Sequence, residues 1–218
     1  MADFAARRQN MVESQIRTNK VTHPALIAAM EEVPREQFVP KAKQGVAYVD
    51  EDIAIAPGRA LMEPMVLARL LQAAEIRPSD VVLDIGCGTG YSAAVLGRMA
   101  NTVVALESNP ELARQAIDLL TMLAIDNVAV VEGGLPEGYP KQAPYDAIVL
   151  EGMVPGIPDD ISHQLADGGR LVAVVSDEQG IGRAALYTRR GGAMSHRQIF
   201  DAAVVPLPGF EVEPEFVF

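Results

Sequence analysis

Val81-Val82-Leu83-Asp84-Ile85-Gly86-Cys87-Gly88-Thr89-Gly90-Tyr91 is the stretch on which the fold turns. Its apolar run reads as a buried strand, its spaced glycines as a tight turn that a ligand can approach without meeting a Cβ atom, and Tyr91 as the start of a helix. Working outward, residues 65–74 read as a helix before it and 91–99 as a helix after it, then 103–106 as a strand. Residues 110–123 are a helix opened by Asn109 as cap and Pro110 at its first position. Strands at 128–131, 147–150 and 171–175 follow, with a helix at 161–165 between the last two. Alternating strand and helix imply parallel strands joined by crossover helices and covered on both faces. The expected fold is α/β, a Rossmann-like doubly wound sheet. Residues 184–187, 195–199 and 203–206 read as antiparallel C-terminal edge strands.

The start of the chain differs. Residues 3–32 carry apolar positions at mostly helical spacing, which predicts two short helices, the second capped by Thr22. Val33-Pro34-Arg35-Glu36-Gln37-Phe38-Val39-Pro40 breaks that pattern, and 50–64 reads as a loop with functional content. The expected organisation is a single domain over 1–218. A helical N-terminal segment with the loop spans 1–64, the α/β core 65–183, and the edge strands and tail 184–218.

Composition removes several classes of function. The net charge of −11 opposes sequence-independent binding to a phosphate backbone. No apolar run is long enough to span a bilayer, and residues 1–20 do not resemble a signal peptide, so a cytoplasmic protein is expected. The one cysteine, Cys87, excludes an internal disulfide and any multi-cysteine metal site; His23, His163 and His196 lack ligand spacing and read as structural or surface residues. No metal is expected.

The glycine loop discriminates between cofactors. A dinucleotide fingerprint requires glycine where Tyr91 stands, and the spacing here is G-x-G-x-G. Asp84 puts a carboxylate beside the loop, which repels phosphate and favours the cationic methionine end of S-adenosylmethionine. Glu107 closes the second strand, where an acid accepts hydrogen bonds from both ribose hydroxyls. An NAD-dependent oxidoreductase is disfavoured by Tyr91 and Asp84. Asp146 and Gly168-Gly169 read as loop and turn residues.

Together these segments resemble protein-L-isoaspartate O-methyltransferases. Residues 33–40 match that family's VPRExFVP signature, the glycine loop its E-I-G-T-G-S-G-Y, residues 143–149 its APFDAI segment, and Leu165-Ala166-Asp167-Gly168-Gly169 its LxxGG. The resemblance implies S-adenosylmethionine as cofactor, S-adenosylhomocysteine as product, a protein or peptide substrate and a role in protein repair. Its implied cofactor residues are Asp84, Gly86, Cys87, Gly88, Gly90, Tyr91, Glu107, Ser108, Gly133 and Gly134. Three departures stand out. The family's acceptor loop, G-Q-T-I-S-Q-P, is matched by Gly58-Arg59-Ala60-Leu61-Met62-Glu63-Pro64, which lacks both hydroxyls; V-T-A-A-P is matched by Leu150-Glu151-Gly152-Met153-Val154, and the adenine-side G-D-G by Gly133-Gly134-Leu135. The acceptor-pocket candidates are therefore Arg59, Ala60, Met62, Glu63 and Glu151.

Two glutamates near that pocket oppose an anionic acceptor, and Arg59 is expected to offset one of them. A glutamate with a raised pKa suits a neutral amine or hydroxyl acceptor, which must lose a proton. The competing expectation is a homologue that keeps the fold and the cofactor but lacks turnover, with both glutamates facing solvent.

Overall fold

The computed structural model describes residues 3–177 and 179–211. The last residues of the expected C-terminal tail, 212–218, lie outside the described residues. Helix α1 (Phe4–Met11) continues through a π-helical turn, Val12–Ile16, and is followed by α2 (Pro24–Glu32). The cap of α2 is His23 rather than Thr22: His23 Nδ1 accepts from the Leu26 N–H, while the Thr22 N–H is taken by the Gln72 side chain from a distant helix.

The segment 50–64 is not a plain loop. It folds into a two-stranded antiparallel hairpin, β1 (Ile53–Ala56) and β2 (Arg59–Leu61), turning at Pro57-Gly58, where Gly58 takes a φ of 67°. Ile53 and Leu61 pair across it and are buried, which drives the pairing. Helix α3 (Pro64–Ala74) begins at Pro64.

The remaining strands are β3 (Val81–Ile85), β4 (Thr102–Glu107), β5 (Val128–Glu132), β6 (Tyr145–Val154), β7 (Leu165–Ser176), β8 (Gly182–Arg190) and β9 (Ala193–Asp201). They form one sheet in the order β5-β4-β3-β6-β7-β8-β9, parallel from β5 to β7 and antiparallel from β7 to β9, so the parallel core with antiparallel edge strands is present. Helices α4 (Tyr91–Gly97) and α5 (Pro110–Met122) are crossover helices, and Asn109 caps α5 as expected. Helix α6 spans Asp159–His163, two residues earlier than the sequence pattern places it, because Leu165 already belongs to β7. The expected strand at 203–206 reduces to a single bridge, Met153 to Pro206.

Strand residues alternate between two cores. Val82, Val103, Val149 and Val172 face the N-terminal helices, while Leu83, Val104, Ile148 and Leu171 face α6 and the segment carrying Leu207 and Phe210. Among the described residues no helix is long and apolar enough to cross a membrane.

Candidate active site

Strand order reverses between β3 and β6, and in such sheets ligands bind in the crevice at the carboxyl ends of the strands around that point. The glycine loop stands there. Gly86, Gly88 and Gly90 have φ of 82°, 57° and 93°, conformations that glycine adopts without strain. They differ in use. A Cβ on Gly90 would meet the Cβ of Ala116 at 3.0 Å, so Gly90 lets α5 pack close. A Cβ on Gly86 would meet Leu207 at 2.7 Å, and one on Gly88 would meet Ile55 at 2.7 Å. The whole loop, Gly86 to Gly90, is buried.

Glu107 ends β4 beside the loop and is fully buried. Its carboxylate accepts from the backbone N–H groups of Gly88 (2.8 Å), Ser108 (2.9 Å) and Asn109 (2.9 Å). The Arg59 guanidinium, itself 5% exposed, completes the set with two bonds to Glu107 of 2.5 and 2.8 Å and a third, 2.8 Å, to the Gly86 carbonyl. Such a forked, charge-assisted contact is the strongest arrangement available to an arginine. Arg59 thus spends its hydrogen bonds on Glu107 and Gly86, not on Glu63 or Glu151, and it offsets Glu151 only through its charge, which lowers that carboxyl against the larger effects of burial and Asp84.

Asp84 lies at the end of β3 with no exposed surface. Its Oδ2 accepts from Ser92 on α4 at 2.7 Å; its Oδ1 has no partner among the described residues. Burial pushes its carboxyl up to about 7, opposed by the Ser92 hydrogen bond and raised further by Glu107. Glu151, just past the residue of β6 that pairs with Ile85, keeps part of its side chain exposed, yet its Oε1 is buried and unpartnered. Burial and then Asp84 hold this carboxyl well above the usual range. Glu151 is thus not the solvated residue of the competing expectation.

A cavity of about 10 Å³ remains between Asp52, Arg59, Ala60, Met62, Glu151 and the segment 204–207. That is at the threshold for a single water molecule. Glu63 does not line it. It sits half-buried at the start of α3 beside Asp50, Glu51 and Asp52, where burial and then these acids lift its carboxyl to about 7. Tyr91 turns away from the crevice, packing edge-on against Phe38 and under the Arg35 guanidinium. Cys87 is buried, which raises its thiol. Ser108, Gly133 and Gly134 are exposed at the other end of the crevice.

Four residues escaped the sequence reading. Ile55 and Leu207 cover the glycines, as given above. Asp52 ties the hairpin to its surroundings by accepting from the N–H groups of Glu63 and Val205, each at 2.8 Å. Arg35 donates to the carbonyls of Ala47 (2.8 Å) and Met62 (2.7 Å), so the signature at 33–40 anchors the chain on either side of the hairpin. Arg35 sat in a recognised motif, which was a usable signal; Ile55 and Leu207 had none.

The doubly wound sheet, its reversal point and a G-x-G-x-G loop followed by an acid on the next strand define a Rossmann-like methyltransferase of the kind that uses S-adenosylmethionine. A model of the protein-L-isoaspartate (D-aspartate) O-methyltransferase family matches residues 6–211. A protein-L-isoaspartate O-methyltransferase of Koribacter versatilis is 37% identical over 96% of this chain and 94% of its own length, and one of Rhodopseudomonas palustris is 39% identical over 95% and 85%. The chain belongs to this S-adenosylmethionine-dependent family. Two solved structures share the fold: a protein-L-isoaspartate O-methyltransferase (TM-score 0.82, 24% identity, 93% of this chain and 66% of that one) and a Plasmodium falciparum protein crystallised with S-adenosylhomocysteine (TM-score 0.77, 18% identity, 95% and 99%).

Proposed function

We propose that this chain is a protein methyltransferase that takes its methyl group from S-adenosylmethionine and acts slowly on isoaspartyl carboxylates, the acceptor side of its pocket being changed. The observation that carries this reading is the Glu107 carboxylate at the end of β4 beside the buried glycine loop. The residue types fit the cofactor: Glu107 would accept from the ribose hydroxyls, Gly86, Cys87, Gly88 and Gly90 form the loop beneath, Asp84 and Tyr91 lie behind it, and Ser108, Gly133 and Gly134 flank the adenine side. When bound, the cofactor supplies an electrophilic methyl group on a sulfonium.

The chain's own part is alignment. An isoaspartyl carboxylate is already anionic, needs no base, and reacts when its oxygen is held in line with the methyl carbon. Ala60 and Met62 offer no hydroxyl for that task, so orientation is poor and turnover slow. Burial, and then Asp84, raise the Glu151 carboxyl well above the usual range, which favours its protonated form, and in that form it can donate one hydrogen bond to a carboxylate instead of repelling it. A protein or peptide acceptor, rather than nucleic acid, is supported by the net charge of −11; a cytoplasmic site is supported by the lone buried cysteine. The arrangement is read as one domain.

The test is transfer of labelled methyl from S-adenosylmethionine to an isoaspartyl peptide. Transfer above the enzyme-free control but at least about tenfold below an intact family member is expected, since misplacing one reactant costs that much. No transfer would overturn the reading in favour of a cofactor-binding homologue without turnover, which the loss of both hydroxyls favours.

A further inference from the structure

The side of the glycine loop that faces the crevice is covered by the protein itself. Arg59 occupies both oxygens of Glu107, Ile55 lies over Gly88, and Leu207 lies over Gly86. We infer that the hairpin β1–β2 is an internal plug, latched by the Arg59–Glu107 ion pair, and that the cofactor enters only when this latch opens. The inference rests on the cofactor reading above and adds a competitor for the same carboxylate. Ribose hydroxyls and a guanidinium cannot both hold the two oxygens of Glu107, because each oxygen already carries at least one backbone N–H.

The latch has three physical parts. Its charge pair is buried and doubly hydrogen-bonded. Its apolar parts, Ile55 and Leu207, come from different segments, and Asp52 joins those segments by bonding the Val205 N–H. Its free end is the Pro57-Gly58 turn, exposed at the hairpin tip, where Gly58 has open space around it. The adenine end of the crevice at Ser108, Gly133 and Gly134 stays exposed, so a ligand meets an open adenine side and a closed ribose side. A protein that binds from a minor open population shows its intrinsic affinity divided by the closed excess.

The test compares the unaltered protein with Arg59→Gln and Arg59→Lys. Glutamine removes the charge and the fork while Glu107 keeps its backbone donors, and lysine restores the charge without the fork. Hydrogen exchange of the amides in 53–61, in unliganded protein, reads the latch; calorimetry with S-adenosylhomocysteine reads the competition. In Arg59→Gln these amides are expected to exchange at least about tenfold faster and the ligand to bind at least about tenfold tighter, with Arg59→Lys between. Faster exchange with no ligand binding in any of the three proteins would keep the latch and sink the cofactor reading. Unchanged exchange, or weaker ligand binding by Arg59→Gln, would overturn the latch. Ile55→Ala, which leaves the ion pair intact, is expected to tighten binding by a smaller factor. Equal or weaker binding by that variant would contradict Ile55 as part of the plug.

Discussion

Strand β3 has a buried arginine–carboxylate cluster at each end, and the two are built for different purposes. At its start, Arg170 donates to the carbonyls of Ala74 (2.8 Å), Glu75 (2.9 Å) and Asp146 (2.8 Å) and to the Asp80 carboxylate (2.5 Å). Asp80 in turn accepts from the Arg77 N–H. Its three carbonyl bonds satisfy the end of α3 and the start of β6, so the cluster staples α3 to the sheet. At its other end, Arg59 satisfies a carboxylate that already has three backbone donors and a carbonyl in a glycine loop. Removing Arg170 strands several buried acceptors; removing Arg59 strands far less. One pair is structure, and the other is exchangeable for a ligand with the same hydrogen-bonding pattern.

The comparison breaks most visibly at the staple. Arg170→Met is expected to cost about 3 to 5 kcal/mol in urea unfolding, because it leaves Asp80 and three carbonyls unpaired. A cost below about 1 kcal/mol would show that water reaches this end of the sheet.

The next contrast is with pH. Burial raises Asp84 to about 7 and Glu151 well above the ordinary carboxylate range. Both therefore bind protons more tightly folded than unfolded, so their contribution favours the folded state at low pH. It declines as pH rises from about 4, where the unfolded groups ionise, through 7, where Asp84 does. Stability should fall over that window by on the order of 4 kcal/mol more in the unaltered protein than in Asp84→Asn, about three pH units at about 1.4 kcal/mol each. Equal pH slopes in the two proteins would remove Asp84 as a source of the effect.

Arg59→Gln should cost less than Arg170→Met, about 2 to 3 kcal/mol of stability, since Glu107 keeps three backbone donors and the glutamine amide can still donate to it. A loss as large as that of Arg170→Met would make the two clusters equivalent and erase the distinction. The smallest effect belongs to Ser92→Ala, about 1 kcal/mol at pH 8 and less at pH 5, because the lost hydrogen bond favours ionised Asp84. Chemical denaturation at the two pH values measures it.

What could be read from the sequence follows the range of the interactions. The strand Val81–Ile85, the glycine loop and Glu107 are legible because strand period, glycine geometry and the following acid are local signals. The hairpin is not: its strands have four and three residues, too few for a period to register, and its pairing is fixed by burial of Ile53 and Leu61 against the rest of the fold. The Arg59–Glu107 pair joins residues 48 positions apart, and neither residue type names its partner. Residues 203–206 show the reverse error, where β-branched composition suggests a strand but no adjacent edge was available beyond one bridge to Met153. Glu63 and Met62 are neighbours in sequence, yet only Met62 reaches the cavity, because Glu63 begins the approach to α3.

The contrast between the two clusters is tested most directly by a crystal structure of the unaltered protein grown with saturating S-adenosylhomocysteine. The expected result is Arg59 withdrawn from Glu107, the ribose hydroxyls on the freed carboxylate, the hairpin displaced from Gly86 and Gly88, and the Arg170–Asp80 cluster unchanged. S-adenosylhomocysteine bound over the loop with the Arg59–Glu107 pair still intact would contradict it.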